Sequence, residues 1–271
     1  NELSGPCVQT AIARWLRDEV SDRHFTYRFV FTVETIGALA VLDRRLDHLR
    51  KHLAAGFVLT CLGDDRTYSR VASRLDGTLA DRVARHVLAH DHPGYDEYPF
   101  LDRGSDERQY CAPGVDLPVC TLMRSKFGTY PEYHTSLDDL SLVTPTGLQG
   151  GFDLVRNCIE LLEVNGPYRT TTIGEPQLGS RGLYPTLSTT ETHSMVRMIM
   201  NVIAYSDGQH DLVSIAELLG ADARSLIPVV DRLLEAGFPP SFLELYMPGG
   251  AAIEKGVSYT ARWHDGRLVS Q

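Results

Sequence analysis

The sequence predicts an α/β fold, with one large domain followed by a small, mostly helical one. Three observations predict it. Apolar, β-branched and aromatic runs at 26–33, 56–65 and 117–123 read as strands and alternate with stretches of helical periodicity. Residues 166–192 are rich in Gly, Pro, Ser and Thr and read as an ordered linker without regular structure. Beyond them, three helical patterns and a final Asp-Gly turn signal make a second unit.

The elements follow in order. Ser4 and Gly5 open a helix whose apolar face is Val8, Ile12, Trp15 and Leu16. Thr26–Val33 reads as a buried strand ending at Glu34-Thr35-Ile36-Gly37, and residues 41–56 as a helix. The strand from Gly56 runs to Asp64 and Asp65, whose expected role is a turn with helix capping. A helix over Leu79–His90 carries His86 and His90 four apart. That spacing can chelate zinc, but with no Glu between them and no apolar pocket it predicts a solvated face. Leu117–Met123 is a buried strand. Pro145 starts an amphipathic helix with Phe152, Val155, Ile159 and Leu162 on its core face. Residues 195–208, 212–220 and 222–237 are helical, and Pro228 should kink or break the third. The Asp265-Gly266 pair marks a hairpin. Three helices and a hairpin make a winged helix, expected over 193–271.

Composition narrows the function classes. The chain has 271 residues and a formal charge of −9, which argues against a broad phosphate-binding surface. Arg224 and Arg232 on the third C-terminal helix are balanced by Asp222, Asp231 and Glu235. That is not a basic recognition helix, so the small domain is expected to serve a protein partner or a structural role, not nucleic acid. No run of 18 apolar residues and no signal peptide is visible, so a cytoplasmic protein is expected. The cysteines at 7, 61, 111, 120 and 158 are widely spaced and read mostly as buried, reduced thiols. Oligomeric state is not legible. The chain opens inside a motif, which suggests that an N-terminal part of the natural protein precedes it.

The chemistry concentrates in Leu122–Leu140. A strand runs out into a polar loop holding Tyr130, Tyr133, His134, Asp138 and Asp139, and strand ends are where α/β enzymes keep their reactive groups. His134 could ligate a metal, act as a base or play a structural part. Asp138 and Asp139 could orient its ring, and Tyr133 could donate to a developing oxyanion. Arg124 and Lys126 are candidates for a substrate carboxylate or ordinary surface charge.

The segment YHTSLDDL resembles the last ligand motif of the co-catalytic zinc aminopeptidases (peptidase clan MH). Asn1-x-x-Ser4-Gly5, Glu34-Thr35-Ile36-Gly37 and the segment GSDERQY at 104–110 are similar to that family's other motifs. The resemblance implies a three-layer aminopeptidase-like (phosphorylase/hydrolase-like) domain with a mixed central sheet over residues 1–165. Glu34 would stand at the general base and Tyr133 would steady the oxyanion. His134 would be a zinc ligand, Asn1 would fill the metal-bridging position, and Glu107 would be a replacement ligand. Asp106, Asp138 and Arg124 would support the site or bind substrate. Thr35 and Thr60 stand where two further ligands belong, and the family's first ligating His would lie upstream. One zinc is therefore the implied complement. The segments RGLYPTLS, SDERQYCAPG and YPEYHTSLDDL also resemble a bacterial family joining such a domain to a winged helix, often among genes for polysaccharide or secondary-metabolite biosynthesis.

Two functions compete on this reading. One is a metal-dependent hydrolase cleaving an amide of a small peptide or aminoacylated metabolite. The other is a catalytically degenerate peptidase fold that binds a ligand or protein in a biosynthetic pathway. A DNA-binding regulator with a peptidase-like sensor domain is a third and is opposed by the net charge.

Overall fold

The core of the larger unit is a mixed four-stranded sheet, seen in a computed structural model. The structure describes residues 1–181, 183 and 190–235, together with the strands Leu243–Leu245, Ala261–His264 and Arg267–Ser270. It divides into two units: residues 1–19 with 25–160, and residues 20–24 with 161–271.

In the first unit the elements are α1 (Ser4–Glu19), α2 (Ile36–His52), β1 (Gly56–Leu59), β2 (Ser69–Val71), α3 (Leu79–Asp91), β3 (Asp96–Tyr98), α4 (Glu107–Tyr110) and β4 (Val119–Met123), with α5 (Pro145–Val164) leading out of it. The sheet order is β1-β4-β2-β3. β1 runs parallel to β4, β2 antiparallel to β4, and β3 parallel to β2. β4 is central and buried at every position, so it carries no polar–apolar alternation.

Helix faces follow the apolar spacing. Val8, Ile12 and Leu16 of α1 are buried as expected, while Trp15 is half-buried and meets the Phe152 ring edge-on. On α5 the buried face is wider than expected. Leu154, Cys158 and Leu161 join Val155, Ile159 and Leu162, and Phe152 is only half-buried. All five cysteines are free, four buried and Cys7 exposed.

Several expectations need correction. Residues 26–33 form no strand. Phe31 and Val33 are exposed, because β composition alone cannot bury a segment that pairs with no sheet neighbour. The following helix starts at Ile36, five residues earlier than the apolar pattern suggests, and ends at His52. β1 stops at Leu59, and the buried stretch beyond it is a loop. His86 is buried against the core side of α3, whereas its ring neighbour His90 is exposed. Arg124 is neither a surface charge nor presented to a substrate carboxylate. It is buried, donates from Nε to the Thr67 carbonyl at 2.8 Å, and lies 3.8 Å over the Tyr68 ring. Lys126 is half-buried over the rings of Tyr98 and Phe127.

One buried ionic cluster organises β2, β3 and α3. Arg70 and Asp81 are both fully buried and paired at 2.5 Å. Asp81 also caps α3 in a reciprocal box with Thr78, and it accepts from Ser73. Arg70 reaches Asp76 and Glu97 as well. Burial pushes the Glu97 carboxyl up, but the hydrogen bond and charge of Arg70, with Tyr95 and Arg85, outweigh it and hold Glu97 below its ordinary value. A depressed carboxylate contributes stability that is present above its unfolded-state pKa and lost as pH falls through the folded one. The stability gap between wild type and Glu97→Gln should therefore be constant from neutral pH down to about 5 and close below about 4.3. Urea titrations across that range check it.

The second unit contains β5 (Pro167–Thr170), α6 (Thr190–Tyr205), β6 (Asp207–Asp211), α7 (Leu212–Leu219), α8 (Ala223–Glu235), β7 (Leu243–Leu245), β8 (Ala261–His264) and β9 (Arg267–Ser270). The stretch read as a linker thus begins with a strand. β5 lies between β6 and β7 in a three-stranded sheet. Asp211 caps α7 by accepting from Ser214, and Gly220 ends the helix in the left-handed conformation, which lacks a Cβ penalty. α8 continues through Pro228, held by its buried face Leu226, Val229, Val230 and Leu233. β8 and β9 pair antiparallel as the expected hairpin, while Asp265-Gly266 and most of RGLYPTLS lie outside the described residues.

Candidate functional site

The site begins where α1 meets the end of β1. Ser4 Oγ accepts from the Leu62 amide at 2.7 Å, and Gly5 lets the helix lie directly on the Leu59 carbonyl. This close approach carries Asn1 to the strand end. Its Oδ1 accepts from Gly63 N at 2.9 Å, and its Nδ2 donates to Asp64 Oδ2 at 3.1 Å. Asp64 also accepts from the amide and hydroxyl of Ser125 just beyond β4, and from Arg66 N. The main-chain nitrogen of Asn1 donates to Asp138.

The second wall is Glu34-Thr35. Ile36 N donates to the Glu34 carbonyl at 2.7 Å, closing a γ-turn with Thr35 at φ 63°, ψ −68°, a strained conformation for a β-branched residue. Asp106 Oδ1 accepts from Thr35 N at 2.8 Å, and Arg108 Nη2 donates to Thr35 Oγ1 at 2.5 Å and reaches Glu34 at 3.4 Å. Burial, with the Glu107 charge, lifts the Asp106 carboxyl above its usual range despite the Thr35 amide. The Glu34 side chain is 58% exposed.

The third wall is the Tyr130–His134 loop. The Tyr130 hydroxyl donates to buried Cys61 Sγ, and its ring meets Tyr133 edge-on. Tyr133 stacks on His134 at 3.9 Å between centroids. Burial, then the charges of Glu2, Cys61 and Glu34, keep the Tyr133 phenol above its ordinary range, so it stays a hydrogen-bond donor. His134 is 68% exposed, with Nε2 3.7 Å from Glu2 Oε1. Non-glycine residues with positive φ number five among the described residues. Three of them, Thr35, Cys61 and His134, line these walls. Strain of this kind persists where surrounding structure enforces it, and it concentrates at working sites.

The motif residues are therefore brought to one place, but not as converging donors. Glu107 is fully buried and accepts from Gly104 N, Ser105 N and Thr121 Oγ1, so ligation would cost it these partners. Asp106 braces Thr35, and Asp138 accepts from the Asn1 main-chain nitrogen. Asn1 has both amide atoms engaged. Among the described residues, no three His, Cys, Asp or Glu side chains converge as metal donors would. The donor set present does not fit a shared-carboxylate zinc site. Cys61, Glu2, Ser125 and Arg108 are participants that motif reading passed over. The sequence signal for Arg108 was its place in GSDERQY. Cys61, Glu2 and Ser125 had none.

A mixed sheet flanked by helices, with these residues gathered near its strand ends, defines an α/β protein. The chain belongs to the family described as Domain of unknown function (DUF4910), matched over residues 1–165, and residues 166–238 match a winged helix-turn-helix family. It is 34% identical over 235 residues to a Clostridium acetobutylicum protein provisionally named as a polysaccharide biosynthesis protein with aminopeptidase-like domain, a match covering 86% of this chain and 53% of that protein. The crystal structure of a provisionally assigned peptidase from the same organism aligns with a TM-score of 0.79 and 32% identity, over 90% of this chain and 54% of that one. The chain thus spans little more than half the length of these relatives. No helix among the described residues is long and apolar enough to cross a membrane.

Proposed function

We propose that this site binds a small peptide or aminoacylated metabolite, and that the chain acts as a peptidase-fold binding module in a biosynthetic system of the polysaccharide type. The observation that carries this is that strained Thr35, Cys61 and His134 gather at one site whose implied ligands, Asn1 and Glu107, are committed to other hydrogen bonds. Glu34 offers an exposed carboxylate for a ligand ammonium, and Tyr133 a protonated phenol for its carbonyl. Calorimetric titration of full-length protein with dipeptides and aminoacyl amides tests the reading. Tyr133→Phe should weaken binding about 10-fold, or about 1.4 kcal/mol, the worth of one hydrogen bond. Binding insensitive to both Tyr133→Phe and Glu34→Gln would remove the cleft from consideration.

A second reading, a metal-dependent hydrolase, draws support from Glu34, which is solvent-facing and near enough to Tyr133 to shift it. Stoichiometric zinc in the full-length protein, lost in His134→Ala, with turnover lost in Glu34→Gln, would favour it over the binding module.

A further inference from the structure

We propose that residues 28–33, with the adjoining side of α2, form a docking edge for a separate acidic polypeptide, taken up as an extended strand that alternates apolar and acidic side chains. Phe31 is 56% exposed and Val33 68%, and Val30 beside them is exposed as well. Apolar, β-rich edges of this kind are ordinarily covered by another strand. Phe25 to Val30 alternate between half-buried and exposed, the period of an extended chain. Within 28–32, the Val30 carbonyl is the one main-chain group hydrogen-bonded among the described residues, accepting from Gln9 Nε2 at 3.2 Å. The rest of that main chain is unpaired, and a pairing strand is the occupant that satisfies it.

Charge selects the strand. Arg45, His48 and His52 recur at spacings of three and four along one side of α2, with the two imidazole rings 4.7 Å apart between centroids. The segment lies against this side. Gly37 abuts the Thr32 side chain, and the Arg28 charge reaches His48. Desolvation first, then the charges of His52, Arg28 and Arg45, hold the His48 imidazole below its ordinary value. These four basic side chains are exposed, and none makes an ion pair among the described residues. Asp43 and Asp47 project elsewhere around the helix. An unneutralised basic strip in a chain of formal charge −9 calls for an acidic partner. Nucleic acid would meet the charge but neither the unpaired main chain nor the apolar side chains.

The full chain is titrated, with fluorescence anisotropy as readout, against labelled peptides of alternating valine and glutamate, of alternating valine and lysine, and of the first sequence with a central Pro-Pro. The Val-Glu peptide should bind, with affinity falling as salt rises. The lysine and proline peptides should bind at least about 10-fold more weakly, one through repulsion and the other because proline cannot donate to a ladder. Arg28→Glu combined with Arg45→Glu should weaken the Val-Glu peptide about 10-fold, and Phe31→Ser should weaken it too. These are changes at exposed positions, so Tm should hold, and if one variant does not fold the other carries the test. Dipeptide affinity should be unchanged in both, which separates this edge from the site of Glu34 and Tyr133. No binding of the Val-Glu peptide up to about 1 mM would overturn the proposal. So would equal binding of the lysine peptide, indifference to both variants, or tighter binding of a single-stranded oligonucleotide. A dimer in sedimentation velocity that Phe31→Ser dissociates would overturn it as well, by giving the edge to a second copy.

Discussion

Replacing Asp81 by alanine should destabilise the first unit by about 3–5 kcal/mol, the cost of stranding a buried guanidinium. Arg70 and Asp81 are both fully buried, and Asp81 also takes donors from Ser73 and Thr78. The substitution removes an ion pair, a helix cap and a loop anchor together. Asp76 and Glu97 remain near Arg70 but are half exposed and cannot replace it. Urea denaturation followed by circular dichroism should show the midpoint fall with little change in slope. A loss below about 1 kcal/mol would mean that water or the remaining carboxylates satisfy Arg70, contrary to its full burial.

Gly5→Ala should rank next. A Cβ at position 5 would overlap the Leu59 carbonyl, a backbone atom that cannot swing aside. Alanine favours the helix by about 1 kcal/mol, yet overpacking against backbone costs about 3 kcal/mol or more, so the net is destabilising. Because α1 sets Ser4 and Asn1 against the strand end, the variant should also weaken ligand binding in the titration described above. Unchanged stability and affinity would show that α1 can slide without consequence.

Legibility tracks how local the cause is. β4 was readable because a continuous apolar run needs nothing beyond itself to declare burial, and Ser4-Gly5 was readable as a helix opening because start signals are local. Residues 26–33 misled because strand propensity is a statement about a pleated surface, and the partners decide whether there is one. Glu107 and Asp64 looked like a ligand candidate and a turn residue, and Arg124 like a substrate-carboxylate binder or a surface charge. Their burial is set by segments distant in sequence, such as Thr121 for Glu107 and Thr67 for Arg124. The site's location was legible from its motifs. Which of its polar groups were already spoken for was not, because hydrogen-bond bookkeeping is a tertiary property.

The corner around Asp64 has a temporal side. Its partners lie 63 residues away at Asn1 and 61 away at Ser125, so the corner closes only after two long loops have been paid for in chain entropy. The Thr78–Asp81 box spans three residues and nucleates locally. α3 and its cap should therefore appear early on the folding path, with the cleft the last part of the first unit to take shape.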